Sequence, residues 1–188
     1  HLDKLFSANN QTVGRHQADI TGLIGQYAHG NEPSHHMAYL YNFINKPAKT
    51  QEKVREILTT LYSNTPDGIS GNEDCGQMSA WYVFSALGFY PVTPGSNQYI
   101  IGSPLAERAT INLENGNQFT IVTDGYEEGY SYIKAASLNG NPLERSYLKN
   151  EEIMAGGTLV FELSAKSTDW ATADVNIPVT EISDHLIL

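Results

Sequence analysis

The chain has 188 residues, 40% of them hydrophobic, which is enough for one or two packed domains and too apolar for a disordered segment. Its formal net charge of -10, with an isoelectric point near 4.9, repels nucleic-acid phosphates and anionic lipid and so argues against both as partners, while a neutral ligand such as a sugar remains compatible. The lone cysteine, Cys75, cannot form an internal disulfide, and no apolar run is long enough to suggest a membrane span.

His1 to Lys4 shows no apolar signal core, so no targeting segment is expected within the chain. The first ninety residues carry helical periodicity. From Pro33, the side chains of Met37, Leu40, Tyr41 and Ile44 fall on one helix face. Val54, Ile57, Leu58 and Leu61 repeat that spacing between the Lys46-Pro47 break and the turn signal at Asn64 to Gly68, which predicts two antiparallel helices. A third helix is expected from Gln77 to Leu87, apolar nearly all round and therefore inner and buried, with Gly88 placed to end it. Trp81 and Tyr82 lie within this helix and read as core rather than as a sugar-stacking platform.

From Gly88 to Ser96 helical order breaks, and the domain boundary is placed there: 1–90 helical, 91–170 β-rich, 171–188 an unassigned tail. Thr110 to Leu113 and Phe119 to Val122 flank an Asn115-Gly116 turn with period-two alternation, a hairpin signature. Tyr130 to Leu138 and Thr158 to Leu163 predict further strands. Residues 1–90 hold 6 basic and 8 acidic side chains, net -2, and residues 91–188 hold 5 and 13, net -8, so the acidity lies mostly in the β-rich half, where it reads as a solvated surface.

Two acidic loops each precede a helix, a place from which side chains can be aimed into a pocket by a rigid element. The first runs from His29 to His36; it admits a plain helix start, with Asn31 as cap, Pro33 in the first turn and Glu32 favoured by the helix dipole. The second, Asp67 to Gln77, places Asn72, Glu73 and Asp74 between glycines. One capping side chain suffices there, and adjacent carboxylates repel unless a cation compensates, which a hard ion such as calcium would do. Glycoside hydrolysis needs a proton donor on one side of the bond and, with inversion, a carboxylate holding a water on the other. Spacing alone does not separate a sugar site from a structural metal site.

The run Gly71-Asn72-Glu73-Asp74-Cys75-Gly76-Gln77-Met78-Ser79-Ala80-Trp81-Tyr82, continuing through Ala86 to Pro91 and Pro94 to Ser96, resembles the signature of glycoside hydrolase family 92. Gly25 to Tyr27, Gly30 to His36 and Tyr39 to Asn42 resemble that family's preceding block, and the likeness extends from about Arg15 to about Leu163. The resemblance implies an α+β chain: C-terminal helices of an (α/α)6 barrel followed by an antiparallel β-sandwich-like domain. It implies a secreted or periplasmic, Ca2+-dependent, inverting exo-α-mannosidase that acts on mannose-containing glycans.

By the same resemblance, Asp74 matches the general base that deprotonates the attacking water. Asn31 and Glu32 match the block that helps hold Ca2+, which in the family engages the sugar's 2- and 3-hydroxyls and favours a distorted ring. Some members carry an aspartate where this chain has Asn72; an amide cannot share the base role, so Asn72 is expected to orient Asp74 or water. His29, His35 and Glu73 are expected to bind substrate, although a histidine in such a loop also reads as a satisfied structural residue. The family's general acid is a glutamate located before the region covered by the chain, and residues 1–28 hold no match to its motif. The chain alone is therefore expected to be inactive and to need the N-terminal portion of the same protein, or self-association, to cover apolar helix faces. The alternatives are a non-catalytic module, in which Tyr126, Tyr130 and Tyr132 form a glycan-binding face, and a calcium-stabilised structural protein.

Overall fold

The computed structural model describes residues 1–13, 17 and 20–179. Arg15 and residues 180–188 of the unassigned tail lie outside them. Helix α1 (Leu2–Ser7) leads to a short antiparallel pair, β1 (Leu23–Ile24) and β2 (Tyr27–Ala28). A single 3-10 turn (Glu32–Ser34) and a longer 3-10 segment (Met37–Ile44) follow, then α2 (Pro47–Thr60) and α3 (Gln77–Leu87). The remainder is β3 (Phe89–Tyr90), β4 (Gln98–Ile101), β5 (Arg108–Asn112), β6 (Gln118–Asp124), β7 (Tyr132–Leu138), β8 (Asn141–Pro142), β9 (Tyr147–Lys149), α4 (Asn150–Met154) and β10 (Gly157–Ser164). Among the described residues no helix is long and apolar enough to cross a membrane.

The helix expected from Pro33 forms as 3-10 turns, and this changes which face is inside. With three residues per turn, the pairs Ala38/Tyr41 and Tyr39/Asn42 are buried, whereas Ile44 is 54% exposed and Met37 and Leu40 are half-buried. Helix α2 matches its expected face, with Val54, Ile57 and Leu58 buried, and Pro47 occupies its first turn, where a missing N–H costs nothing. Helix α3 has the predicted limits, and Gly88 ends it in the left-handed conformation at φ 101°. It is not buried all round: Met78, Trp81 and Ser85 are inside, while Ser79, Ala80 and Val83 are exposed.

In the second half, five strands form a sheet in the order β5-β6-β10-β7-β8. The expected hairpin is β5 and β6, antiparallel, closed by Asn115-Gly116 with Gly116 at φ 85°. Contrary to the expected wholly antiparallel arrangement, β10 runs parallel to β6, from Gly157 opposite Phe119 to Glu162 opposite Asp124. The chain between β6 and β10 includes β7, which pairs antiparallel to the other side of β10, so β10 lies between two strands that precede it in the chain. A separate sheet has the order β3-β4-β9.

That smaller sheet joins the halves. Side chains alternate sides along a strand, so Ile100 of β4 enters the core beneath the helices, with Phe6, Tyr39, Ile57 and Trp81, and the adjacent Ile101 enters the core of the large sheet, with Phe119, Ile121 and Phe161. Asn42 reinforces the junction by donating from Nδ2 to the carbonyls of Ile101 at 2.8 Å and Ser146 at 3.2 Å. Tyr126 and Tyr130 pack against the second core, and Tyr132 is half-buried, so these side chains are partly committed to packing rather than laid out as a free aromatic face.

Candidate active site

The two polar loops meet backbone to backbone. A methyl group at Gly30 would lie 2.5 Å from Thr21 Cγ2 and 3.2 Å from the Ser70 carbonyl oxygen, and one at Gly71, where φ is +75°, would lie 3.1 Å from the Gly30 carbonyl oxygen. Only glycine permits this approach, and it sets Asn31 and Asn72 directly beyond the point of contact. The arrangement brings together the two loops that the sequence separates by about forty residues.

Capping separates the side chains that are occupied from those that are not. Asn31 stands at the N-cap of the 3-10 turn, yet its side chain makes no capping hydrogen bond. Ahead of α3 the cap position is Gly76, and the capping work falls to Glu73, whose carboxylate accepts from Ser79 N at 3.2 Å and Ser79 Oγ at 3.0 Å. Glu73 thus serves the helix start, and its carboxylate oxygens are engaged there by Ser79. Asp74 is exposed, and its side chain makes no hydrogen bond or ion pair among the described residues. It opens a run of left-handed residues, Asp74 at φ 51°, Cys75 at 56° and Gly76 at 92°, a backbone that non-glycine residues adopt at a cost of about 1–3 kcal/mol each and that persists only when its surroundings enforce it.

The histidines are placed inside rather than on the surface. His29 is 0% exposed: its Nδ1 lies 2.8 Å from Tyr27 Oη and its Nε2 lies 2.6 Å from Tyr62 Oη. Tyr62 spends its hydroxyl proton on the Met78 carbonyl at 3.1 Å, so it accepts from His29 Nε2–H, and Tyr27 donates to Nδ1. His35 is 2% exposed and stacks on His29 with centroids 4.6 Å apart. Trp81 meets His29 edge-on at 4.5 Å and donates from Nε1 to the His35 carbonyl at 3.1 Å. Both imidazoles are buried in this structure, and every ring nitrogen of the pair is already matched by a hydrogen-bond partner. Sequence reasoning missed Tyr27, Tyr62, Gln77 and Tyr90, which complete the cluster; its one visible signal was a glutamine opening a mostly apolar helix.

Burial pushes the His29 imidazole down to about 3, with the neighbouring His35 adding to the effect, and burial also lowers His35. Below pH about 6.5 the unfolded chain therefore binds protons that the folded chain refuses, so stability present at neutral pH is lost as pH falls from there toward 3. For His29 alone the loss between pH 7 and pH 5 is expected to be about 2 kcal/mol. Urea midpoints at those two pH values, compared between wild type and His29→Gln, measure it. A variant with the same pH slope as wild type would contradict the neutral, buried state.

Asn31 and Glu32 are half-buried, and neither side chain has a hydrogen-bond partner among the described residues. Amide and carboxylate oxygens are the donors that calcium prefers, so these residues fit the ion by type. They are too few alone, since calcium takes six to eight oxygens and no group of three or more His, Cys, Asp or Glu side chains is gathered among the described residues. A cavity of about 600 Å³ opens beside Glu73, walled by Tyr62, Thr65, Ile69, Ser79 and Tyr82; Asn31, Glu32 and Asp74 do not line it.

Residues 1–165 match the family model for the glycosyl hydrolase family 92 catalytic domain. A family GH92 α-mannosidase of Bacteroides thetaiotaomicron, solved with mannoimidazole, is 44% identical with a TM-score of 0.90, covering 95% of this chain and 24% of that one. A family GH92 inverting mannosidase from the same species is 42% identical with a TM-score of 0.77, covering 82% of this chain and 21% of the other. A secreted glycosidase of Arthroderma benhamiae, itself described as uncharacterised, is 31% identical over 152 residues, 79% of this chain and 20% of the relative. The chain therefore spans about a fifth to a quarter of the length of these relatives.

Proposed function

The chain belongs to glycosyl hydrolase family 92, and from that membership we propose that it supplies the base-bearing part of a calcium-dependent, inverting exo-α-mannosidase acting on mannose-containing glycans. One observation carries the reading: the loops meet at Gly30 and Gly71 while the side chains of Asn31, Glu32 and Asp74 have no hydrogen-bond partner among the described residues. An exposed carboxylate on a constrained backbone, in a loop that meets one bearing oxygen donors, suits water activation next to a sugar.

In this reading Asp74 takes a proton from the water that attacks the anomeric carbon, on the face opposite the leaving oxygen, and Asn72 orients the carboxylate or the water. Asn31 and Glu32 would contribute to holding Ca2+, which supplies positive charge for the sugar's hydroxyls when bound. The glutamate that protonates the leaving oxygen comes from another part of the protein, so the chain by itself would not hydrolyse mannosides. The exposed face of α3 at Ala80 and Val83 supports placing these helices within a larger helical barrel. The fungal relative described as secreted supports an extracellular or periplasmic location.

The proposal is tested on the intact enzyme by following hydrolysis of an α-mannoside by proton NMR. β-Mannose is expected as the first-formed product, with turnover that falls on chelation by EDTA and returns with Ca2+. α-Mannose as the first product would remove inversion, and turnover indifferent to chelator would remove the metal.

A further inference from the structure

The carbonyls of Glu32 and Asp74 are each held by the residue three positions on. His35 N donates to the Glu32 carbonyl at 3.0 Å, and Gln77 N donates to the Asp74 carbonyl at 3.1 Å. The side chains of those two residues then meet: Gln77 Nε2 lies 3.0 Å from His35 Nδ1 and 2.9 Å from Tyr90 Oη. A continuous path of four residues thus joins the proposed calcium-holding loop to the proposed base.

Its proton positions follow from chemistry. His35 Nε2 lies 3.0 Å from the His29 carbonyl, which can only accept, so the ring proton sits on Nε2 and Nδ1 presents a lone pair. The amide nitrogen of Gln77 has two N–H groups, one for that lone pair and one for the Tyr90 oxygen. The Trp81 indole and the His29 ring pack against His35, which is 2% exposed, so a donor lost from Nδ1 leaves a buried acceptor to be satisfied.

We infer that Gln77 is a positioning residue, whose side chain, by donating to His35 Nδ1, fixes the place of Asp74 relative to Glu32. The inference rests on the reading of Asp74 as base. Any group at position 77 that lacks the two donors would let the loops drift, and a displacement of about 1 Å at a reacting group can cost on the order of a hundredfold in rate. Glutamate is the sharpest probe, being the same shape with only acceptors to set against the lone pair on Nδ1.

The test uses the intact enzyme with Gln77→Glu, Asp74→Asn and the double variant, with kcat normalised to folded protein. Gln77→Glu is expected to lower kcat about 10- to 100-fold, the range for groups that orient a functional side chain, with KM little changed. In the Asp74→Asn background the same substitution is expected to cost less than about twofold further, because a group acting through the base has nothing left to position. Wild-type kcat in Gln77→Glu, or a full additional loss in the Asp74→Asn background, would overturn the proposal. Wild-type turnover in Asp74→Asn would instead remove the base itself. If Gln77→Glu fails to fold, nitrogen-15 NMR of the wild-type imidazoles decides: His35 is expected with its proton on Nε2 and a bare Nδ1, and a proton on Nδ1 would exclude the contact.

Discussion

Replacing Asp74 by Asn in the intact enzyme is expected to lower kcat by about two to four orders of magnitude, the range for loss of a general base. The loss should leave the fold in place. The carboxylate makes no hydrogen bond or ion pair among the described residues, and the shape of the turn is held by its backbone, where Gln77 N donates to the Asp74 carbonyl. Asparagine also tolerates the left-handed conformation that position 74 requires at φ 51°. The signature is thus a fall in kcat with KM and melting temperature nearly unchanged, read from steady-state kinetics and thermal unfolding of the same samples. Wild-type turnover in this variant would remove Asp74 from the mechanism.

Trp81→Ala is expected to destabilise the protein by about 3–5 kcal/mol, the range for truncating a buried aromatic side chain. Trp81 is 0% exposed and lies parallel to Tyr62, edge-on to His29 and close to Tyr39 and Tyr90, so the cavity left behind would be walled by rings that cannot easily collapse into it. The truncation also leaves the His35 carbonyl without the indole donor, a further penalty of about 1–3 kcal/mol when no water replaces it. Trp81→Phe separates these effects: it keeps most of the ring and loses the donor, so it should fall between wild type and alanine. Denaturant midpoints measure both. A Trp81→Ala variant within about 1 kcal/mol of wild type would contradict its place at the centre of the helical core.

Much of the local structure was legible because its causes are local. The end of α3 at Gly88 and the hairpin at Asn115-Gly116 both follow from the left-handed backbone that glycine accepts readily. The segment after Pro33 was harder, since its apolar residues suit a period of 3.6 as well as one of 3, and only packing selected the tighter turn that buries Tyr39 and Asn42. The parallel pairing of β10 with β6 was not legible, because alternation along a strand says which face is apolar and nothing about which partner lies alongside. In the candidate site the loops themselves stood out as acidic runs before helices. The division of labour within them did not, since His29, His35 and Glu73 look as available in sequence as Asn31, Glu32 and Asp74.

The sequence by itself determined the limits of α3 and the turn at Asn115-Gly116, which family the chain resembles, and which oxygen-bearing side chains stand near one another along the chain. Only the tertiary structure decided which of them are used up. It set Gln77 against His35, 42 positions apart, turned Glu73 onto Ser79, and sealed His29 between two tyrosines while leaving Asp74 exposed. The reason is physical: a polar group's availability depends on whether a distant partner removes it from water and satisfies its hydrogen bonds, and that partner is chosen by packing.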